Sequence, residues 1–360
     1  MSALFEPLRL RSVTVPNRVW MSPMCQYSAA TDGPDVGVPT DWHFSHLAAR
    51  ATGGAGLILV EATAVSPEGR ISPADLGLWN ERQQEAYPRI VEFLKRRGTV
   101  PGIQLGHAGR KASTDAPWRG GKALSPEQGG WQPVGPSPIA YDDQHPVPHG
   151  LTTDEIGRIV ADFAAAAERA LAAGFEVVEV HGAHGYLIGE FLSPHSNRRT
   201  DRYGGSFDNR VRFPLEVVDA VRAVWPDDLP VFFRISGTDW LPDGQGWTAE
   251  DTVRFAKELL AHGVDLLDVS SGGNAAGVRI PLGPGYQVPL AAAVAQRIDL
   301  PVATVGLITE PAQAEAIVAG GEADAVMLGR ELLRNPYWPR QAARELGVES
   351  EWPEQYLRAV

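Results

Sequence analysis

A pattern of short apolar runs, each followed by a polar or glycine-rich break and a longer segment with helical spacing, recurs along the whole chain. Alternating strands and helices of this kind predict a parallel sheet, and about eight such units close naturally into a (β/α)8 TIM barrel. A doubly wound sheet is the alternative, but it would have fewer strands and a Gly-x-Gly-x-x-Gly fingerprint, which the sequence lacks. We expect one domain over residues 1–360, with strands near residues 19–21, 57–60, 100–105, 177–180, 231–233, 266–269, 301–305 and 325–328.

Other segments fit around this barrel. Leu8, Leu10, Val13 and Val15 alternate with polar residues, which predicts an N-terminal hairpin that plugs the base of the barrel. A long Gly- and Pro-rich insertion, about residues 106–150, follows the third strand, and its tryptophans favour an ordered lid. Periodicity and capping residues predict helices over residues 81–97, 153–173, 209–224, 249–262 and 311–318.

Charge and composition narrow the classes of partner. The formal net charge of -12 argues against nucleic-acid or anionic-membrane partners, which need a basic surface. Cys25 is the only cysteine, so neither an internal disulfide framework nor an iron–sulfur cluster of four thiolates can form. The N-terminus lacks a basic start followed by an apolar core, and no apolar run reaches the roughly 18 residues of a membrane span. We therefore expect a cytoplasmic protein.

The fourth predicted strand ends in a cluster of polar side chains. His181, His184 and Tyr186 follow the run Val177–Val180 among small residues that leave room for a ligand. Two imidazoles can donate hydrogen bonds to one oxygen, and a neighbouring phenol can give up a proton. Zinc binding by the two histidines is an alternative, although the sequence has no His-Glu-x-x-His motif. The cluster predicts a site that polarises a carbonyl group.

Residues at the other strand ends point to a cofactor, because a barrel assembles its active site there. Gly306, Gly329 and Arg330 suit a phosphate, since glycine admits close backbone approach and Arg330 can bind it bidentately. Gln104 offers a donor and an acceptor to an imide edge, and Arg234 can stabilise negative charge on a ring. Together they predict a phosphorylated aromatic cofactor, and FMN fits. The remaining strand-end positions expected at the cofactor are Ser22, Pro23, Met24, Cys25, Ala62 and Ser271.

At these positions the sequence resembles the old yellow enzymes, and in particular the bacterial thermophilic-like ene-reductases, which are marked by a cysteine in the first motif. The resemblance covers nearly the whole chain. Its motifs are Pro23-Met24-Cys25-Gln26-Tyr27, Gln104-Leu105-Gly106-His107-Ala108-Gly109-Arg110-Lys111, His181-Gly182-Ala183-His184-Gly185-Tyr186-Leu187, the segment from Ser196 to Ser206, and Val305-Gly306-Leu307-Ile308-Thr309.

The resemblance implies an FMN-bound TIM barrel that reduces the activated C=C bond of α,β-unsaturated carbonyl compounds with NADPH or NADH. The reductant and the substrate would use one flavin face in turn. His181 and His184 would bind the substrate carbonyl oxygen, and Tyr186 would protonate Cα. Cys25 would tune the flavin, and Tyr27 would add a hydrogen bond to the substrate. Gln104 and Arg234 would hold the pyrimidine end of the ring, Ser22 to Met24 and Ala62 would make its other contacts, and Gly306, Gly329 and Arg330 would hold the phosphate.

The same resemblance makes Arg358 a candidate for reaching a neighbouring subunit's site, although the aromatic residue expected after it is absent. It implies a homo-oligomer, a dimer or tetramer, acting on small enones, enals, quinones or nitro compounds. FMN barrels of the dienoyl-CoA reductase and dihydroorotate dehydrogenase kinds are weighed against it: the first should carry a cysteine cluster and a further domain, and the second lacks His-x-x-His-x-Tyr. A metal-dependent hydrolase on the same barrel is the alternative from another class.

Overall fold

A closed barrel of parallel strands forms the centre of the computed structural model, which describes residues 2–359. Each strand is hydrogen-bonded to the next along the chain, and the last returns to the first. The (β/α)8 prediction is therefore confirmed. The strands are β1 (Val19–Met21), β2 (Leu57–Ala64), β3 (Val100–Gly106), β4 (Val177–Gly182), β5 (Val231–Ser236), β6 (Leu266–Ser270), β7 (Val302–Thr304) and β8 (Ala325–Leu328).

Helices connect these strands close to the predicted positions. The segment predicted as one helix over residues 81–97 is broken at Pro88, because proline lacks an N–H and is tolerated only in the first turn of a helix. Within residues 2–359 no helix has the length and apolar character needed to cross a membrane. The helices are α1 (Asp41–Thr52), α2 (Glu81–Ala86), α3 (Pro88–Arg96), α4 (Thr153–Ala172), α5 (Leu187–Leu192), α6 (Phe207–Arg210), α7 (Arg212–Val224), α8 (Ala249–Ala261), α9 (Val288–Ala295), α10 (Pro311–Ala319), α11 (Arg330–Arg334) and α12 (Trp338–Glu345).

Several polar residues expected just after the strands lie within them. His181 and Arg234 occupy positions inside β4 and β5, and Ala62 lies inside β2, whereas Gln104 lies inside β3 and within the strand predicted over residues 100–105. The strands continue because these polar side chains alternate with apolar ones and have partners on neighbouring strands: Gln104 donates to Glu179, and Arg234 lies against Asp268. The register sets Gln104 beside Glu179 and His181 beside Arg234. Gln104 and Glu179 therefore lie in one row of the barrel and His181 and Arg234 in another, two residues further along β4.

The N-terminal hairpin closes the base of the barrel, as predicted. Leu8–Leu10 pairs antiparallel with Val13–Val15. Its buried apolar residues join one hydrophobic cluster with interior residues of the barrel strands, among them Trp20 and Phe232. The two aromatic rings are stacked with centroids 6.0 Å apart, and Trp20 Nε1 donates a hydrogen bond to the Asn17 carbonyl. This packing fills the lower half of the barrel and leaves the carboxyl ends of the strands for polar residues.

The long insertion after β3 is ordered and lies against the carboxyl ends of the strands. It contains short 3-10 turns and a parallel pairing of Val134–Gly135 with His149–Gly150. Trp131 Nε1 donates to the Glu68 carbonyl, and Lys111 Nζ donates to the carbonyl of His184. These contacts tie the lid to the end of β4, where the candidate site begins.

Replacing the tryptophan at the barrel base tests this packing. Trp20→Ala removes a fully buried ring and its hydrogen bond, and should lower the free energy of unfolding by about 3–5 kcal/mol. Denaturant unfolding monitored by circular dichroism measures the change. Leu282→Ala, at a residue that is 69% exposed, is the control and should change stability little. A Trp20→Ala protein as stable as the parent would contradict the proposed role of the base cluster.

Candidate active site

The three polar rings predicted at the end of β4 meet in the structure. The ring centroid of His181 lies 5.2 Å from that of His184 and 5.2 Å from that of Tyr186. The chain reverses between them because His184 has φ 61° and Gly185 has φ 69°. A Cβ at Gly185 would lie 2.4 Å from the carbonyl oxygen of Gly273, so only glycine fits. The tight turn brings all three side chains to one small volume.

His181 presents one defined nitrogen to the site. Its side chain is buried, and the backbone N–H of Ala183 donates to Nδ1 over 3.4 Å. With Nδ1 as the acceptor, the neutral ring carries its proton on Nε2. Burial, reinforced by the charges of Arg234 and Lys111, holds the pKa of His181 well below its ordinary value. His181 is therefore a neutral hydrogen-bond donor at physiological pH.

His184 is fixed by two serine hydroxyls. Its backbone N–H donates to Ser236 Oγ over 2.8 Å, and its ring Nε2 lies 2.8 Å from Ser270 Oγ. Burial and the charge of Arg234 lower the pKa of this ring well below its usual value, with smaller contributions from His181 and Lys111. Ser270 was not singled out from the sequence, where Ser271 was expected at the cofactor. Ser271 instead donates to Gln287 Oε1 over 2.6 Å.

Tyr186 remains protonated, and a lysine lies against its ring. Burial raises the pKa of the phenol well above its ordinary value, and the nearby Cys25, Tyr27 and Asp75 add to the effect. Lys111 Nζ lies 5.1 Å from the ring centroid of Tyr186 and donates to the carbonyls of His184 and Gly273, each over 2.9 Å. Lys111 was part of a recognised motif, but sequence reasoning gave it no role.

The segment after β1 carries Cys25 and Tyr27 to the same region. Both pack beside Tyr186 on a small cluster of Ile71, Ala108 and Ala112. Burial raises the pKa of the Cys25 thiol, and the carboxyl groups of Asp75 and Glu61 raise it further. Cys25 is therefore held as a thiol. Tyr27 adopts φ 48°, a strained conformation for a non-glycine residue, and its ring packs edge-on against Trp118 of the lid.

A small cavity lies beside these rings. It is lined by Ala62, His181 and Tyr186 together with Ile71 and Asp75. The cavity has apolar walls and a few convergent polar groups, which is typical of a site for a small organic molecule.

A larger cleft opens along the ends of β5 to β8. Four of the expected cofactor residues line it: Arg234, Gly306, Gly329 and Arg330. Gly306 has φ 130°, and a Cβ there would lie 2.9 Å from Gln287 Nε2, so a side chain would fill the cleft. Gln287 was missed because nothing in its sequence surroundings marks it.

The hydrogen-bond donors that line the cleft suit the phosphate and the ring of FMN. Arg330 and Arg334 line one end and suit a phosphate. Arg234 lies at the other, where its buried Nε is 3.0 Å from Asp268 Oδ2 without the alignment of a hydrogen bond. Gln104 does not line the cleft; it is buried in β3, beside Glu179 of β4. Ser22 is buried directly after β1, and Met24 Sδ would lie 3.6 Å from a Cβ at Gly329.

Arg358 lies apart from both cavities. It belongs to an exposed 3-10 turn, Glu354–Ala359, near the C-terminus. Tyr356 of this turn packs against Tyr337, with the two hydroxyls 3.3 Å apart. Contact of Arg358 with a neighbouring subunit stays a prediction.

Comparison with known sequences gives matches over nearly the whole chain. Residues 3–349 match the model of the NADH:flavin oxidoreductase / NADH oxidase family. An NADPH dehydrogenase of Geobacillus thermodenitrificans (strain NG80-2) is 47% identical over 357 residues, which cover 99% of this chain and 98% of that protein.

Solved structures show the same architecture. Morphinone reductase in complex with tetrahydroNAD matches with a TM-score of 0.77 and 31% identity, covering 98% of this chain and 92% of that one. A 2-naphthoyl-CoA reductase in complex with 2-naphthoyl-CoA matches with a TM-score of 0.86 and 27% identity, covering 95% of this chain. This chain spans about half of that protein, 52% of its length.

The hydrolase alternative finds no support in these comparisons, since the matched family is one of oxidoreductases. Over residues 2–359 the fold also assembles no group of three or more His, Cys, Asp or Glu side chains that could hold a metal ion.

The protonation state of the two histidines can be measured directly. Because burial and nearby cations lower both pKa values, His181 and His184 should remain neutral at about pH 6, below the ordinary histidine value of about 6.5. Nitrogen-15 chemical shifts of the imidazoles report this state, and His181→Ala and His184→Ala assign the signals. Imidazolium shifts for either ring at that pH would contradict the electrostatic account.

Proposed function

The chain belongs to the NADH:flavin oxidoreductase / NADH oxidase family, that of the old yellow enzymes, and on this basis we propose that it is an FMN-dependent ene-reductase using NADPH or NADH. As a member of this family it is an oxidoreductase. The proposed reaction is reduction of the activated C=C bond of an α,β-unsaturated carbonyl compound. The observation that carries the proposal is the meeting of His181, His184 and Tyr186 beside a cleft whose residues suit FMN.

FMN would lie in the larger cleft. Gln104 and Arg234 would hold its pyrimidine end, and Gly306, Gly329 and Arg330 its phosphate. Bound FMN supplies a carrier that accepts hydride from the nicotinamide and delivers it to the second substrate. Use of a nicotinamide reductant is supported by the family's name, by the NADPH dehydrogenase relative, and by the tetrahydroNAD bound to morphinone reductase. The remaining expected contacts are Ser22, Pro23, Met24, Cys25, Ala62 and Ser271.

The two histidines would bind the carbonyl oxygen of the substrate. His181 is neutral and carries its proton on Nε2, so it can donate a hydrogen bond without bringing a charge. His184 is held beside it by Ser236 and Ser270. Hydrogen bonds to this oxygen withdraw electrons from the conjugated system and make Cβ a better hydride acceptor. They stabilise the negative charge that develops on the oxygen as hydride arrives.

Tyr186 would complete the reduction by giving its phenolic proton to Cα. Its raised pKa keeps the proton on Oη until carbon becomes basic enough to take it. Tyr27 would give a further hydrogen bond to the substrate, and Cys25, held as a thiol, would lie near the flavin without adding a charge. His181 is buried, and Cys25, Tyr27, His184 and Tyr186 are half-buried around it.

The proposed substrates are small enones, enals, quinones and nitro compounds, each of which presents an acceptor oxygen beside an electron-poor bond. We further propose a homo-oligomer, a dimer or a tetramer, in which the exposed Arg358 contacts a neighbouring site.

Replacing His181 should weaken ligand binding far more than it weakens cofactor binding. His181→Ala should weaken binding of phenol or enone ligands by at least about tenfold, because a buried hydrogen bond is lost, and should affect FMN binding much less. Ligand-induced changes in the flavin spectrum measure the first, and flavin fluorescence the second. His262→Ala, a surface histidine bonded to Asp219, is the control. Unchanged ligand spectra would rule out the proposed role of His181.

The proton donor can be tested by following the two half-reactions anaerobically. Tyr186→Phe should slow reoxidation by an enone by about 10²-fold or more, because the general acid is lost, while reduction by NADPH stays nearly unchanged. Stopped-flow absorbance of the flavin measures both rates. Tyr203→Phe is the control: it removes one phenolic hydroxyl from a buried tyrosine, and that hydroxyl donates to Glu216 outside the site. Equal losses in both half-reactions would make Tyr186 a structural residue.

A further inference from the structure

A carboxyl group inside the barrel lies next to the residues that would hold the flavin ring. We propose that Glu179 is a positioning residue that fixes which end of the Gln104 carboxamide faces the cofactor. This inference rests on the proposed binding of FMN. It is based on the hydrogen bond between Glu179 and Gln104 and on the charges of the buried neighbours Arg234 and Asp268.

The contact is short and fully enclosed. Glu179 lies in β4 on the interior face that also carries Val177 and His181, because alternate residues of a strand point to the same side. It lies opposite Gln104 in the register of β3 and β4, and Gln104 Nε2 donates to Glu179 Oε1 over 2.8 Å. Glu179 is 0% exposed and Gln104 is 2% exposed, so water cannot replace this bond.

This hydrogen bond determines which end of the Gln104 carboxamide, oxygen or nitrogen, faces Glu179. Oxygen and nitrogen ends of a glutamine side chain have nearly the same shape, and rotation by half a turn exchanges an acceptor for a donor. With Nε2 held by Glu179, the carbonyl oxygen of Gln104 is directed elsewhere and stays available as an acceptor. An imide edge, which carries an N–H between two carbonyls, then meets an acceptor of fixed direction.

The charges of the neighbouring residues indicate that Glu179 can hold Gln104 without placing a negative charge beside the cofactor. Asp268 and Glu179 are both 0% exposed, and Arg234 is the cation that faces them. Asp268 Oδ2 lies 3.0 Å from Arg234 Nε, so this pair is neutral as a unit. A second carboxylate would be an uncompensated buried charge, which is costly. Glu179 Oε2 also has no hydrogen-bond partner.

The acid form of Glu179 is the one this environment favours. Burial raises the pKa of Glu179 well above its ordinary value, and the charge of Asp268 raises it further. Burial also raises the pKa of Asp268, to about 6, against the opposing effect of Arg234. With its proton on Oε2, Glu179 keeps Oε1 as the acceptor for Gln104 Nε2 and so acts through direction rather than charge, while Asp268 carries the negative charge that balances Arg234.

A double-mutant cycle on FMN affinity tests the positioning role. Glu179→Leu and Gln104→Leu should each raise the FMN dissociation constant roughly tenfold, the effect of losing one well-oriented hydrogen bond. The double variant should bind no more weakly than Gln104→Leu alone, because Glu179 acts only through Gln104. Glu179→Gln keeps the acceptor oxygen and should stay within about twofold of the parent. Quenching of flavin fluorescence measures each constant.

The reduction potential of bound FMN distinguishes an orienting role of Glu179 from an electrostatic effect of its charge. Glu179→Gln should leave the midpoint potential unchanged, whereas Asp268→Asn should raise it, because a negative charge beside the pyrimidine end is removed. Additive losses of affinity in the cycle, or a rise in potential for Glu179→Gln like that of Asp268→Asn, would overturn the inference. If Glu179→Leu does not fold, as judged by circular dichroism, Glu179→Met takes its place in the cycle. A parent protein that binds no FMN at all would instead refute the proposed function.

Discussion

The register of the closed barrel is the constraint on which the candidate site depends. It aligns Gln104 with Glu179 and His181 with Arg234 on neighbouring strands, above a base filled by Trp20 and other apolar side chains. A slip of one residue in any of these strands would exchange interior and exterior faces. Dense apolar packing below therefore fixes the level at which the polar groups meet. The hairpin contributes to function in this sense, although it contacts none of the reactive side chains.

A single physical cause sets the protonation of the whole cluster. Burial disfavours every charged form, so it lowers the pKa values of His181 and His184 and raises those of Tyr186 and Cys25. The result is two neutral imidazoles, one intact phenol and one thiol. The charged side chains near this cluster have partners: Arg234 is paired with Asp268, and Lys111 donates hydrogen bonds to carbonyl oxygens.

Much of this could be predicted from the sequence, and the failures have physical reasons. Apolar runs located every barrel strand, and the histidine pair with Tyr186 was evident because three reactive residues lie within one turn. Strand ends were misjudged because polar residues such as Arg234 look like loop residues until their partners across the barrel are known. Ser270 and Gln287 were missed for a similar reason: their roles come from contacts with His184 and with the cleft, between distant parts of the chain.

The position of Lys111 has a mechanical consequence. Its ammonium group belongs to the lid, yet it rests between the rings of Tyr141 and Tyr186 and is bonded to the backbone at His184 and Gly273. Burial lowers the pKa of this group to about 8, so mild alkalinity would discharge it. The neutral amine would still donate to these carbonyls but without the added strength of a charge, so the contact between the insertion and the turn at His184 would weaken as the solution turns basic.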